Sequence, residues 1–345
     1  MVHAIVYANR KGYNFFESTP EFPQSYQQQI YNICSRLTAG SVQSAPALRY
    51  MPLNSRGLLT VIFRMIQGNS DEIRAHAIAV NFLMDAEDTR RFFDCPFRDA
   101  AAKAIATAEE ILNIRNRPLP TDLLQDLPQN GSAMMYEPST DLLSAAIYAM
   151  DYPISRQMFI QNRLSDPIDM LQELLDFLPP RLRPTVSFHT NCINAAESDG
   201  LVVCFTNCLS DMISQDFSGG PITQKYWRFC AECNAVSNPD QTQVQMVYRM
   251  LQMPQRIPHY HFLKPCINSW ECLLRLNALL KASTVPKLES VLELIPSELV
   301  YEALRTASLD ADDRNKIQRA MPKQSPVHGL RKIFIRLLSL LRRSS

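Results

Sequence analysis

The first 113 residues alternate short apolar runs with turn-forming residues, a pattern typical of an antiparallel sheet with helices. Residues 3–8 are rich in strand formers, and the Asn and Gly of the following turn suit a hairpin whose return strand is residues 13–17. Beyond two prolines, Ser25 is a helix-capping residue, and the apolar spacing predicts a helix to about Leu37. The fold is therefore predicted to open with a hairpin and a helix.

Further strands and helices are predicted before residue 113. The strand candidates are residues 47–53, 58–67 and 73–83, separated by turn-forming Asn, Ser and Gly residues. The third of these fits a strand or a helix by pattern, and its two-residue alternation favours the strand. Helices are predicted over residues 86–93 and 99–112. Residues 1–113 are therefore predicted to form an N-terminal α+β domain.

A change of lobe is predicted where prolines accumulate, in residues 114–140, which we interpret as a linker. A middle α/β lobe is predicted over residues 141–240. Its predicted elements are helices over residues 141–150 and 167–177, and short buried strands over residues 185–190 and 201–206.

The C-terminal part, residues 241–345, has a helical pattern of short segments bounded by Pro, Ser or Asp. The predicted helices cover residues 242–250, 269–281, 287–294, 297–306 and 312–320. The fold class is therefore predicted as α+β: an N-terminal, mostly antiparallel sheet with helices, a small middle strand lobe, and an α-helical C-terminal lobe.

The final segment, residues 329–345, is predicted to form a basic amphipathic helix. One face carries Leu330, Ile333, Phe334, Leu337, Leu338 and Leu341, and the five charges are those of Arg331, Lys332, Arg336, Arg342 and Arg343. Such a helix can lie on an anionic membrane surface, dock into a partner groove, or close the core of its own lobe. The last interpretation is favoured, because terminal helices usually pack on their own domain.

The overall charge is nearly balanced, with 35 basic and 34 acidic side chains, so no whole-protein field attracts a nucleic acid backbone. No apolar stretch is long enough to span a membrane, and residues 1–13 lack the features of a signal peptide. Nine cysteines spread over the chain do not form the dense, even framework of a small secreted protein, which favours reduced thiols. A cytoplasmic location is therefore expected.

The phosphate-binding loop of GTPases and ATPases is not present in the sequence. Neither Gly68 nor the Gly219-Gly220 pair is followed by the required Lys at the required glycine spacing. With nine glycines in total, dinucleotide-binding folds are also disfavoured. The chain is therefore not expected to hydrolyse nucleotides through such a loop.

A metal site is considered at Cys230 and Cys233, whose spacing is that of zinc ligands, followed by His259 and His261. Cys266 lies nearby in sequence. The His-x-His spacing departs from the usual zinc pattern, so unligated thiols are expected, with structural zinc and a redox dithiol as the alternatives. No cofactor is therefore expected.

His189 is the candidate for acid–base chemistry, because it lies at the end of a predicted buried strand. No nucleophile elbow, paired carboxylates or orienting acid can be matched to it in the sequence. A hydrogen-bonded structural histidine is the favoured interpretation, and a general base is the alternative.

Asp71, Arg74 and His76 form a polar group that leads into the third predicted strand. Arg74 and His76 share a face by the two-residue period of a strand. They are candidates for binding an anion or a partner carboxylate, whereas a solvated strand face is the simpler interpretation.

Several short motifs together resemble the N-terminal domain of the bacterial GTPase-associated proteins. They are residues 3–7, the Gly12-Tyr13 turn, residues 18–23 and the Gly68-x-x-Asp71-x-x-Arg74-x-His76 run. In the middle lobe, the Val186-Ser187-Phe188-His189-Thr190 strand looks like a second landmark of that family. The resemblance covers roughly residues 1–230, and the C-terminal helical lobe adds nothing to it.

This resemblance implies a non-enzymatic adaptor or accessory protein that is encoded with a small GTPase in a bacterial conflict or antiviral defence system. Such a protein recognises a GTPase or another component of the same system through protein–protein contacts. The expected partner-binding residues are Asp71, Arg74, His76, Gly12 and Tyr13.

Two hypotheses from other functional classes stay open on the sequence. One is a metal-dependent or His-dependent nucleic-acid-processing enzyme built around His189 with Cys230 and Cys233, which bound zinc or a nearby carboxylate would favour. The other is a membrane-targeted effector that uses residues 329–345, which liposome binding dependent on that segment would favour.

Overall fold

The computed structural model describes residues 2–9, 13–37, 45–69, 72–113, 157–161, 166–193, 197, 201–206, 226–230, 235–237 and 241–322. Contacts group the chain into two compact units, Met1–Met250 and Leu251–Ser345. The predicted N-terminal and middle lobes both fall within the first unit. The predicted linker, the predicted helix over residues 141–150 and the C-terminal tail lie outside the described residues.

The first unit is built on one mixed sheet, in which ten strands are described. They are β1 Val2–Asn9, β2 Tyr13–Ser18, β3 Ala47–Leu53, β4 Arg56–Asn69, β5 Glu72–Met84, β6 Gln157–Gln161, β7 Phe188–His189, β8 Val203–Thr206, β9 Tyr226–Cys230 and β10 Ala235–Ser237. Their order across the sheet is β10-β9-β6-β8-β7-β3-β4-β5-β1-β2. With the helices below, the predicted α+β class is confirmed.

The sheet has an antiparallel half and a mainly parallel half, which meet at β7; at the far edge of the latter, β10 pairs antiparallel with β9. Strands β1 to β5 pair in antiparallel fashion, whereas β6 pairs in parallel with β8 and β9, and β7 pairs in parallel with β8. The two halves join where β7 pairs antiparallel with β3, through Arg49 opposite His189 and Tyr50 opposite Phe188. The predicted middle strands therefore extend the N-terminal sheet.

Strands β4 and β5 are longer than their other neighbours. They pair with each other from Gly57 opposite Met84 to Asn69 opposite Glu72. β3 accompanies β4 only as far as Ile62, and β1 accompanies β5 only as far as Ile78. Among the described strands, residues 63–69 and 72–77 therefore pair only with each other, and we call this pair of segments the β4–β5 arm.

Five helices are described in the first unit, and two of them begin at a capping aspartate. They are α1 Gln24–Cys34, α2 Ala86–Asp94, α3 Phe97–Asn113, α4 Pro167–Phe177 and, at the end of the unit, α5 Gln241–Leu251. The Asp85 side chain caps α2 by accepting from the Asp88 amide at 2.9 Å, and Asp166 caps α4 in the same way. The expected cap at Ser25 is wrong: α1 starts after Pro23, which fixes a helix-compatible φ but has no capping side chain.

One face of the sheet packs against α1. Ile30 and Cys34 of α1 meet apolar residues of β1, β3, β4 and β5 in one buried core. Within this core Asn81 accepts a hydrogen bond from the Thr60 hydroxyl at 2.8 Å and donates to the Ile5 carbonyl at 3.3 Å. These bonds tie β1, β4 and β5 together at the centre of the sheet, because a buried amide must find partners.

The opposite face is aromatic and packs against α2, α3 and the 3-10 turn Pro180–Thr185. The ring of Tyr50 lies 4.8 Å from that of Phe93 and 5.7 Å from that of Phe188, and Phe97 lies 5.3 Å from Phe188. The Tyr50 hydroxyl donates to the Pro184 carbonyl at 2.9 Å. Stacked and edge-to-face aromatic pairs therefore hold β3 and β7 together from this side.

The second unit is helical in its described part, as predicted. Its helices are α6 Met253–Arg256, α7 Tyr260–Leu263, α8 Trp270–Ala282, α9 Leu288–Leu292, α10 Ser297–Thr306 and α11 Ala311–Ala320. Ser269 caps α8, and the Arg256 guanidinium donates to the Leu280 and Ser283 carbonyls at the C-terminal end of that helix. No helix within the described ranges is long and apolar enough to cross a bilayer.

Candidate functional site

Buried polar and thiol side chains gather at the joint between the two halves of the sheet. Arg49 of β3 pairs with His189 of β7, and His189 pairs with Cys204 of β8, so these three side chains leave the same face of the sheet. This is the face that packs against α1. We call Arg49, Arg64, His189, Cys192, Glu197 and Cys204 the junction cluster; all six are buried.

An ion pair lies at the centre of the junction cluster. The Arg64 Nη2 donates to the Glu197 Oε2 at 2.7 Å, with 1% and 0% of the two side chains exposed. The Ile193 amide donates to the same oxygen at 3.1 Å. Removing two charges from water is unfavourable unless the pair is well hydrogen-bonded. This pair therefore joins β4 to the loop after β7 without being a strong argument for stability.

His189 is held neutral and oriented by this environment. Its Nδ1 accepts from the Asn191 amide at 3.2 Å, so the imidazole proton is assigned to Nε2, which lies 3.7 Å from the Glu197 Oε2. Burial, followed by the positive charges of Arg64 and Arg49, lowers the pKa of His189 well below its ordinary value.

On His189 and Arg64, buried donor atoms of the cluster have no hydrogen-bond partner among the described residues. They are the His189 Nε2 and the Nε and Nη1 of Arg64. Buried polar groups are nearly always paired, so unsatisfied ones in a native fold call for an explanation such as a ligand, an ion or a water molecule.

The Cys192 thiol contacts the Cys204 thiol through a side-chain hydrogen bond, and its amide donates to the Phe205 carbonyl at 2.7 Å. The hydrogen bond to Cys204, then burial, raise the pKa of Cys192 well above its ordinary value. The Cys192 thiol is therefore neutral, which does not favour a role as an activated nucleophile.

His189, Cys192 and Glu197 have the spacing of metal ligands. One ligand atom from each lies within 4.8 Å of the corresponding atoms of the other two, and the trio is the one such group of His, Cys, Asp and Glu in the described part of the chain. Imidazole, thiolate and carboxylate are the ligand types that zinc prefers. In the sequence His189 was predicted as a candidate, with Cys230 and Cys233 as its possible partners, although the His-x2-Cys-x4-Glu spacing was available as a signal.

The sequence-predicted metal residues are placed elsewhere. Cys230 ends β9, and the strand order β9-β6-β8-β7 puts it three strands from His189, about 14 Å at the usual strand spacing. Its partner Cys233 lies outside the described residues. His259 and His261 belong to the second unit, where the His259 Nδ1 lies 3.7 Å from the Asp313 carboxylate. The sheet register thus does not bring Cys230 and His189 into one site.

The predicted partner-binding residues lie at one end of the sheet, as far as they are described. Arg74 is opposite Gln67 and His76 is opposite Met65, both in the β4–β5 arm. Tyr13 is opposite Asn9, where the β1–β2 hairpin turns at the same end. Asp71 and Gly12 lie outside the described residues. The backbone register therefore brings together two segments that are about 60 residues apart in sequence.

Taken together, the fold and the cluster define an α+β protein with a mixed sheet and a buried His–Cys–Glu group where its two halves meet. No protein-family model matches the chain, and no curated protein matches it.

Proposed function

We propose that this protein is a non-enzymatic adaptor or accessory subunit of a bacterial GTPase-linked conflict or antiviral defence system, and that it acts by binding another protein of that system. The observation that carries the proposal is the β4–β5 arm with the adjoining end of the β1–β2 hairpin. The resemblance to the bacterial GTPase-associated proteins supports the choice of partner.

The β4–β5 arm has a geometry suited to binding another protein chain. Its seven residues on β4 extend about 20 Å at the usual rise per strand residue. Among the described strands neither edge of the arm is paired, and unpaired strand edges are templates for binding another chain. A two-stranded ribbon is also marginally stable by itself, so a partner that packs on it adds ordered contacts.

The positions of Arg74 and His76 support the same conclusion. Both residues lie on the arm beyond the end of the β1 pairing, at backbone positions that pair only with β4 among the described strands. A cationic residue and a titratable residue at such positions are suited to contact a carboxylate or phosphate group of a partner. Recognition of a GTPase by this end of the sheet requires no phosphate-binding loop in this chain.

The test is affinity capture of the tagged full-length protein from its native host, followed by binding measurements with the purified partner. We expect a GTPase to be recovered, and we expect Arg74→Ala/His76→Ala to weaken its binding at least tenfold, because charged contacts set both affinity and orientation. Loading the GTPase with a GTP or a GDP analogue then shows whether the nucleotide state is recognised.

The matched control is Arg90→Ala on α2, because it removes another arginine of the same unit, one that is exposed and makes only a loose pair with Asp94 at 3.9 Å. This variant is expected to bind like the wild type. Recovery of nucleic acid in place of a protein would contradict the adaptor proposal, and equal binding by the arm variant and Arg90→Ala would contradict the assignment to the arm. The membrane-effector hypothesis concerns residues 329–345, outside the described residues, and stays a prediction.

A further inference from the structure

We propose that the junction cluster is a structural zinc site whose ligands are His189, Cys192, Cys204 and Glu197. This inference is independent of the adaptor proposal, because it concerns how the two halves of the sheet are held together. It also differs from the zinc alternative that the sequence suggests at Cys230 and Cys233.

The spacing of the side chains fits a small tetrahedral ion. Zinc bonds of about 2.0–2.3 Å place neighbouring ligand atoms roughly 3.3–3.8 Å apart. The His189 Nε2 and the Glu197 Oε2 are already 3.7 Å apart, and the Cys192 ligand atom lies within 4.8 Å of its two partners. Small shifts of these three side chains therefore reach zinc-ligand spacing, whereas the Cys204 thiol, which is not within 4.8 Å of all three, must rotate toward them.

Cys204 is suited to the fourth position. Its thiol is in hydrogen-bond contact with that of Cys192, and its backbone pairs with that of His189, so it leaves the sheet on the ligand face. A site made of one imidazole, two thiolates and one carboxylate is closed by protein ligands, as is usual for structural zinc.

The charge balance also favours the ion. When zinc binds, the S–H bonds of Cys192 and Cys204 break, two Zn–S bonds form, and the two protons pass to solvent. Two positive charges thus enter and two leave, so the net charge of this buried region does not change. Arg64 keeps its ion pair with Glu197 at 2.7 Å, outside the metal ligands.

The unsatisfied His189 Nε2 is the independent observation that points to a ligand, because this atom is fully buried and faces Glu197. Ligation through Nε2 moves the imidazole proton to Nδ1, and the 3.2 Å hydrogen bond from the Asn191 amide must then be given up. That loss is one weak, neutral hydrogen bond, which is small beside the zinc–ligand bonds gained.

Outer contacts already orient the carboxylate ligand. Arg64 and the Ile193 amide both donate to the Glu197 Oε2, which leaves the other carboxylate oxygen, Oε1, to bind the zinc, and such donors fix a metal ligand in place. The ion would cross-link β7, β8 and the loop between them, because each of these segments supplies a ligand. Such a cross-link would stabilise β7, which is only two residues long and joins the halves of the sheet through two residue pairs.

The test is the zinc content of the full-length protein, produced with added zinc and then freed of loosely bound metal. We expect one zinc ion per chain in the wild type, retention of that ion in Cys230→Ser/Cys233→Ser, and its loss in His189→Gln and in Cys192→Ala. Cys272→Ser is the matched control, because it changes another buried thiol that is bonded to the Leu294 carbonyl but lies in the second unit.

Two results would overturn the proposal. One is zinc that is lost from Cys230→Ser/Cys233→Ser and kept by Cys192→Ala. The other is wild-type protein that binds no zinc and is instead stabilised by inorganic phosphate, which would mean that the unsatisfied donors of Arg64 and His189 serve an anion. If the cluster variants do not fold, Co²⁺ added to metal-free wild-type protein decides: thiolate-to-cobalt absorption supports the site, and its absence refutes it.

Discussion

On one face of the joint between β3 and β7, Tyr50 stacks on Phe188, and the two rings pack against Phe93 and Phe97 respectively, whereas on the other face their neighbours Arg49 and His189 lie in a charged cluster. Both faces are buried. The aromatic face stabilises the fold by removing apolar surface from water, but the charged face must offset the desolvation of its groups. Buried charge at a two-residue joint therefore indicates a specific task, which we assign to ion binding.

The largest expected effect comes from the aromatic face. Phe97 is 2% exposed and contacts Phe92, Phe93 and Phe188. We expect Phe97→Ala to lower the free energy of unfolding by about 4 kcal/mol, because it removes buried surface and leaves a cavity. Urea unfolding of the full chain measures this change. Phe97→Leu is the control and is expected to lose clearly less; equal losses would mean that packing does not dominate this face.

The charged face should respond differently to single and double substitutions. In metal-free buffer, Glu197→Leu leaves the Arg64 guanidinium buried without its counter-charge. We therefore expect the free energy of unfolding, measured with urea, to fall by about 3 kcal/mol. The double variant Arg64→Met/Glu197→Leu is expected to be closer to the wild type in stability, because no uncompensated charge is left. Arg64→Met is the second single variant. If the double variant lost as much free energy of unfolding as the two single variants together, this account would be contradicted.

A smaller effect is expected where a polar atom sits on the aromatic face. Tyr50→Phe removes the hydrogen bond from the Tyr50 hydroxyl to the Pro184 carbonyl and keeps the ring, so we expect a loss of about 1 kcal/mol. Thermal unfolding at fixed pH checks this value. A loss as large as that of Phe97→Ala would show that the 3-10 turn depends on this bond more than on ring packing.

The smallest effect is a pH dependence at the start of α2. The hydrogen bond from the Asp88 amide lowers the pKa of Asp85 below its ordinary 3.8. The cap therefore adds stability above pH 3.8 that is lost as the pH falls through the lower pKa of the folded state. Asp85→Ala should cost about 1 kcal/mol at neutral pH. Asp85→Asn should keep the cap and flatten the acid dependence; an unchanged acid dependence would argue against this assignment.

Elements with local signals could be predicted from the sequence. The observed bounds of β3, α4 and α10 coincide with the predicted residues 47–53, 167–177 and 297–306. Each is bounded by a proline, a capping residue or a turn, and such signals act over a few residues. The confirmed fold class follows from the sum of these local patterns.

Long-range features could not be predicted in this way. The pairing of β3 with β7 joins residues about 140 positions apart, and the Arg64–Glu197 pair spans 133 positions. The placement of β1 between β5 and β2 has no local signal either. The short strands β6, β9 and β10 lack enough alternating residues to stand out. The junction cluster was missed partly for the same reason, since Arg49, Arg64 and Cys204 reach His189 and its loop only through the fold. Cys192 and Glu197, in contrast, follow His189 closely in sequence.

The most direct test of the central claim, that the charged face of the joint binds an ion, is zinc X-ray absorption on the zinc-loaded full-length protein. We predict two sulfur neighbours at about 2.3 Å and two nitrogen or oxygen neighbours at about 2.0–2.1 Å, unchanged in Cys230→Ser/Cys233→Ser. A zinc shell of nitrogen and oxygen alone, or a sulfur signal that disappears in Cys230→Ser/Cys233→Ser, would contradict the account.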